Sequence, residues 1–141
     1  MTVSRESTGS PDDQNPLSNA AWEAAASAYA PSGFHVGAAV RTGSGAIYAG
    51  CNVENASYPV TLCAERNAIA AAIVAEGPAV AIEEIVVATP DSQNCAPCGM
   101  CRQALIEFGP AVRVQFLQNG RLVGTTIAEL LPYAFTRADQ P

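Results

Sequence analysis

Two cysteine-bearing stretches, Thr61-Leu-Cys-Ala-Glu-Arg66 and Pro97-Cys-Gly-Met-Cys101, constrain this chain more than anything else in it. The first sets a thiol two residues before a carboxylate, where a helix begins. The second sets two thiols three residues apart, just behind a proline, at the start of another helix. Proline pre-sets a first helical turn, and residues three apart share a helical face. A fold that brings Cys63 to Cys98 and Cys101 builds a three-thiolate site for Zn²⁺. Its fourth position stays open to water, as in catalytic rather than structural zinc sites. Helix N-termini carry unpaired N–H groups and partial positive charge, so thiols there ionise readily. Three thiolates still outweigh the dication by one charge, which blunts the metal's acidity. Arg66, three residues after Cys63, is placed to offset that excess by hydrogen bonding to a ligand sulfur. Glu65 is the natural proton carrier for the water. Positions i and i+2 diverge on a regular helix, so this role requires Cys63 at the cap, outside regular geometry.

The remaining composition narrows the classes. A length of 141 residues favours one domain, and 49% apolar against 14% charged residues supports a real core. The net charge of −6 argues against a nucleic-acid partner, which needs clustered Lys and Arg. No apolar run is long enough to cross a bilayer, and no signal-peptide pattern precedes a cleavage site. A cytoplasmic location without a membrane partner is therefore expected. The five cysteines, Cys51, Cys63, Cys95, Cys98 and Cys101, are odd in number. In a reducing compartment they read as metal ligands rather than a disulfide framework.

Residues 1–15 are rich in Ser, Asp, Gln and Pro and are expected to be a disordered tail, with the folded domain at 16–141. Pro16–Tyr29 reads as a helix burying Trp22, Ala25, Ala26 and Tyr29. Phe34–Arg41 and Ala46–Cys51 read as a hairpin around Gly43-Ser-Gly45. Residues 52–60 form a polar loop suited to ligand contacts. Cys63–Glu76 is a helix so rich in Ala, Ile and Val that burial on most sides is expected. Glu84–Thr89 is a covered strand, Cys98–Phe108 a helix and Val112–Leu117 a strand. Asn119-Gly120 is a turn returning Leu122–Gly124 as an edge strand. Thr126 caps a last short helix through Leu131. The two strand-helix-strand crossovers predict a mostly parallel sheet with helices on both faces. They also bring the starts of both cysteine helices to one edge.

Longer stretches carry a resemblance. Phe34-His-Val-Gly-Ala-Ala39, Gly50-Cys-Asn-Val-Glu-Asn-Ala-Ser-Tyr58, Cys63-Ala-Glu-Arg-Asn-Ala-Ile69, Pro97-Cys-Gly-Met-Cys-Arg-Gln103 and Glu129-Leu-Leu-Pro132 resemble the small cytidine deaminases of pyrimidine salvage. The resemblance implies a three-layer α/β/α sandwich with a five-stranded mixed sheet. It implies one Zn²⁺ per subunit on Cys63, Cys98 and Cys101, with Glu65 a proton carrier that is not a ligand. The implied reaction is hydrolytic deamination of cytidine and 2′-deoxycytidine by zinc-activated water. Asn52 and Glu54 would bind the sugar hydroxyls, Ala64 backbone and Glu65 the base edge, and Phe34 the nucleoside face. Ala56 and Tyr58 would lie near a site shared between subunits of a homotetramer, with Phe135 reaching a neighbour's base. One departure stands out: the family's Tyr-x-Pro-Tyr-Ser is here Tyr29-Ala-Pro-Ser-Gly33, one tyrosine short. Contacts just before Phe34 are therefore not carried over.

Blander readings compete. Cys98-Gly-Met-Cys101 alone fits a structural zinc knuckle or redox pair, but then a fourth ligand is needed and Glu65 has no task. Cys95-Ala-Pro-Cys98 has the same spacing, but only the later pair lies on the helix start. That leaves Cys95 a free loop thiol and Cys51 a buried strand residue. His35, the one histidine, reads as structural. Asn52 and Glu54 also suit a turn, and Tyr133 and Phe135 also suit packing on the last helix. Two functional alternatives remain: a related aminopyrimidine or nucleoside-antibiotic deaminase, and a non-catalytic zinc-stabilised module. The Asn52-Val-Glu54 signature argues for the ordinary nucleoside, and the acidic surface disfavours a nucleic-acid editor.

Overall fold

The side chain of Asn15 opens the first helix in the computed structural model, which describes residues 15–140. Its Oδ1 accepts from the N–H groups of Leu17 (3.1 Å) and Ser18 (3.2 Å). Such a cap satisfies donors that every helix start leaves free. The expected tail lies outside the described residues, apart from Asn15. Helix α1 is Pro16–Ala25 and buries Leu17, Ser18, Ala21 and Ala25. The expected face is thus displaced: Trp22 is half-buried, while Ala26 and Tyr29 are exposed. The helix ends before Tyr29, which instead pairs with Val53 in an isolated parallel bridge.

Five strands follow: β1 (Gly37–Thr42), β2 (Ile47–Cys51), β3 (Ile82–Ala88), β4 (Arg113–Gln118) and β5 (Arg121–Thr126). They lie in the order β2-β1-β3-β4-β5. Only β3 and β4 pair in parallel; the other three pairs are antiparallel. The mostly parallel sheet read from the crossovers is therefore corrected to a mixed one. Both crossovers do join strands of like direction, but the hairpin strand β1 lies between β2 and β3. Being antiparallel to each, β1 keeps β2 and β3 parallel without letting them touch.

That arrangement positions the site. Helix α2 (Ala64–Glu76) follows β2, and helix α3 (Gly99–Ile106) follows β3. Because β2 and β3 run the same way, both helices begin at the same end of the sheet. Two glycines let the helices lie close. A Cβ on Gly37 would meet Ala21 O at 1.8 Å, and one on Gly50 would meet Ala68 N at 2.4 Å. Gly37 faces α1 and Gly50 faces α2. Gly37 pairs with Cys51 and Gly50 with Ala38, so the pleat puts the two helices on opposite faces. Central β3 is covered on both sides, with Ile85, Val86 and Val87 fully buried. Each such side chain contributes roughly 1.5–3 kcal/mol.

Two further expectations change. Helix α2 buries only Ala64, Glu65, Ala68, Ile69 and Ala72, while Val74 is 88% exposed. One face rests on the sheet and nothing among the described residues covers Val74 on the other. The last helix, α4 (Ile127–Leu130), has Thr126 at its cap without a side-chain bond. Its first N–H groups go instead to Val112 O (2.9 Å) and Pro110 O (3.3 Å). Asn119 and Gly120 both have positive φ, 51° and 75°, as a tight hairpin turn with the twist of its strands requires.

Candidate metal centre and substrate site

Cys63 is the N-cap of α2, with extended backbone (φ −72°, ψ 150°), and Cys98 is the N-cap of α3 (φ −67°, ψ 169°). Cys63 thus stands outside regular helix, the condition under which it and Glu65 can address one point. Cys101 lies on the first turn of α3. The Cys63 and Cys98 sulfurs are 3.8 Å apart, and all three Sγ atoms lie within 4.8 Å of one another. Tetrahedral zinc with bonds of about 2.3 Å sets its sulfurs about 3.8 Å apart. The three sulfurs therefore fit zinc. They form the only such cluster of metal-binding groups among the described residues.

Electrostatics favour a cation here. The Cys63 thiol is held down to about 5, first by a hydrogen bond from the Cys101 thiol and then by Arg66. That same bond drives Cys101 upward, because the donor keeps its proton; burial and the neighbouring negative charges add to this. A dication offsets those charges. Arg66 Nη2 donates to Thr61 O (3.3 Å) and approaches Cys63 Sγ at 3.6 Å. Glu65 is only 4% exposed. Burial pushes its carboxyl up and the nearby Cys63 charge adds to this, while its own backbone N–H and the Cys101 thiol oppose it. A carboxyl so placed exchanges protons more readily near neutral pH than one in water.

Cys95 stays apart. It is buried, its N–H donates to Leu117 O (2.9 Å), and burial pushes its thiol up to about 12. The second of the two overlapping Cys-x-x-Cys pairs is thus the one that joins Cys63, and Cys95 is a free loop thiol, as expected, and a buried one. Cys51 is half-buried at the end of β2. His35 makes no contact with the cluster: its N–H and Nδ1 both bond Asp91 Oδ2, at 2.7 and 2.8 Å.

The loop between β2 and α2 carries the second group. Asn52 is buried; its Oδ1 accepts from Val36 N–H and its Nδ2 donates to Phe34 C=O, each at 2.8 Å. It braces the backbone beneath Phe34, whose ring is partly exposed. A cavity of about 600 Å³ is lined by Tyr29, Pro31, Ser32, Glu54, Asn55, Ala56, Tyr58 and Thr61. Glu54, Ala56 and Tyr58 thus share one concavity, while the cysteines, Glu65 and Phe34 do not line it. Ala64 is the first residue of α2, where an N–H has no partner within the helix. Phe135 is 58% exposed, and its C=O accepts from Gln103 Nε2 of α3 (2.9 Å). Arg102 Nη1 likewise holds Leu130 O (2.9 Å).

Sequence reasoning missed Ser32, whose N–H and Oγ bond both oxygens of Glu54 (2.9 and 2.6 Å). Its only signal was its place in the shortened Tyr29–Gly33 segment. Asp91, the anchor of His35, had no signal beyond following a strand.

Comparison with known proteins agrees with this geometry. Residues 11–118 match the family "Cytidine and deoxycytidylate deaminase zinc-binding region". The cytidine deaminase of Halalkalibacterium halodurans is 42% identical over 130 residues, which is 90% of this chain and 97% of that protein. A blasticidin-S deaminase of Bacillus cereus is 39% identical over 110 residues, 73% of this chain and 78% of that one. Among solved structures, the cytidine deaminase of Burkholderia pseudomallei superposes with a TM-score of 0.75 at 44% identity. That match covers 84% of this chain and 96% of that one.

Proposed function

Because the chain belongs to the cytidine and deoxycytidylate deaminase zinc-binding family, we propose that it is a zinc-dependent hydrolase converting cytidine and 2′-deoxycytidine to the uridine forms. One observation carries this reading: three sulfurs spaced for zinc at two converging helix starts, with a buried carboxyl beside them. Zinc held there supplies an open position at which water becomes acidic near neutral pH. With zinc held by Cys63, Cys98 and Cys101, Glu65 would carry one proton from water to the leaving amine. The water oxygen would take the place of the amino nitrogen on C4, ammonia would depart, and the second water proton would end on ring N3. Arg66 offsets the surplus thiolate charge through Cys63.

Asn52 and Glu54 are assigned to the sugar hydroxyls, Phe34 to the nucleoside face and Ala64 backbone to the base edge. The exposure of Tyr58, Val60, Leu62, Tyr133 and Phe135 supports assembly with further copies of the chain. A homotetramer with Ala56, Tyr58 and Phe135 at shared sites fits that surface. None of the described helices is long and apolar enough to cross a membrane, and a role in pyrimidine salvage in the cytoplasm accords with the reading.

The test is direct. Zinc-loaded protein is mixed with cytidine, 2′-deoxycytidine or blasticidin S, and loss of the aminopyrimidine absorbance is followed. Conversion of both nucleosides is expected. No conversion by metal-replete protein would overturn the proposal, and conversion of blasticidin S alone would replace it with the antibiotic deaminase.

A further inference from the structure

The short segment before Phe34 clasps the loop that carries Glu54. Tyr29 N–H donates to Asn52 O (3.1 Å) and Glu54 N–H to Tyr29 O (2.9 Å). The chain then turns back: Gly33 N–H donates to Ala30 O (2.9 Å), and Gly33 has φ 89°, a conformation suited to glycine. That turn presents Ser32 to Glu54. Ser32 N–H donates to Oε1 at 2.9 Å, and Ser32 Oγ donates to Oε2 at 2.6 Å. The same Oγ accepts from Phe34 N–H (3.2 Å). Backbone and side chain of one serine therefore hold both carboxylate oxygens and tie them to the residue bearing the Phe34 ring.

We propose that Ser32 is a positioning residue for sugar recognition, fixing the Glu54 carboxylate so that each oxygen keeps a free lone pair for a sugar hydroxyl. This rests on Glu54 being the sugar contact. A carboxylate offers about four lone-pair sites. Ser32 occupies one on each oxygen, leaving acceptors on both. Two acceptors on one rigid group match the adjacent hydroxyls of a ribose. A 2′-deoxyribose uses one, and a 2′,3′-dideoxyribose uses none. Glu54 and Ser32 line the same cavity of about 600 Å³, so a sugar there lies within reach. Ser32's hydrogen bonds also hold the Glu54 carboxyl below the usual carboxylate range, keeping it an acceptor.

The experiment compares cytidine with 2′,3′-dideoxycytidine in wild type, Ser32→Ala, Ser32→Thr, Glu54→Gln and the Ser32→Ala/Glu54→Gln double variant. Ser32→Ala should lower kcat/KM for cytidine about tenfold, the scale of one charge-assisted hydrogen bond. The loss should fall on KM, with kcat held within roughly twofold, because binding rather than chemistry is affected. Dideoxycytidine should be unaffected, Ser32→Thr should retain the cytidine preference, and Ser32→Ala should add nothing once Glu54 is Gln. A general structural role would instead slow both substrates alike, and that result overturns the proposal. An unchanged cytidine preference in Ser32→Ala, with that preference reduced in Glu54→Gln, overturns Ser32 alone. Because Asn52 is also assigned to the sugar hydroxyls, a reduced preference is expected in Glu54→Gln; a preference undiminished from wild type removes Glu54 from the sugar site and the proposal with it.

Discussion

Gly50→Ala is the sharpest probe of how the sheet places the metal centre. Gly50 lies in β2 beneath the first turns of α2. A Cβ added there would sit 2.4 Å from Ala68 N, 2.7 Å from Ala64 O and 2.8 Å from Asn67 C. These are backbone atoms, so no side chain can swing aside. Against the 3.4 Å of ordinary contact, α2 must retreat by about 1 Å. The displaced turn carries Cys63 and Glu65. Overpacking of this kind costs about 1–3 kcal/mol, a fall of roughly 4–12 °C in Tm for a domain of this size. A shift of ~1 Å at reacting groups costs on the order of 10²-fold in turnover. Thermal melting of the zinc-loaded protein and loss of cytidine absorbance read the two effects. Gly99→Ala is the control for stability: it lies inside the cysteine motif, yet nothing stands within 4 Å of its added Cβ. Its Tm should hold or rise. Gly50→Ala melting and turning over like wild type would refute the claim that close β2–α2 approach sets the site.

Replacing Arg66 with Gln removes the donor facing Cys63 and should weaken zinc retention and turnover by roughly 10–100-fold. Chelator competition and kcat read this, and unchanged values would exclude Arg66 from the centre. Arg102→Ala breaks bonds to Pro97 O and Leu130 O; a loss of about 1–3 kcal/mol in denaturant unfolding is expected, with faster proteolysis around residues 131–136. Asp91 is held below its ordinary 3.8, chiefly by the His35 backbone N–H and then its ring. Its stabilising contribution is therefore complete above that value and lost as pH falls through the lower, folded value. The Tm gap between wild type and Asp91→Asn should persist from neutral pH to about pH 4 and close below it; a constant gap at every pH would refute this. Chelation should abolish turnover while the far-ultraviolet spectrum persists, because the core around Ile85, Val86 and Leu105 includes none of Cys63, Cys98 and Cys101. Unfolding on chelation, with no activity at any stage, would point to a zinc-stabilised module.

What the sequence disclosed follows from how local the governing physics is. Helix starts at Cys63 and Cys98, and the turn at Asn119-Gly120, depend on short-range signals, and each is where those signals put it. Strand order is not local. Nothing between Phe34 and Cys51 says that β1 will lie between β2 and β3, which is why a crossover pattern overstated the parallel pairing. Burial of α2 was overread for a related reason. A run of Ala, Ile and Val reports capacity for burial, but exposed Val74 depends on what surrounds the helix. Thr126 illustrates competition: backbone carbonyls of Val112 and Pro110 reach the helix start, so its hydroxyl is not needed. The cysteine trio was legible because only one pairing of the overlapping Cys-x-x-Cys motifs shares a helix start. Ser32 was not, since its contact with Glu54 spans 22 residues of sequence.

Cytidine turnover by Glu65→Gln protein, with zinc content confirmed at one per chain, tests the central claim most directly. Removing the proposed proton carrier while keeping the three sulfurs should cost roughly 10²–10⁴-fold in rate with the metal retained. A fully loaded variant working at the wild-type rate would contradict the account.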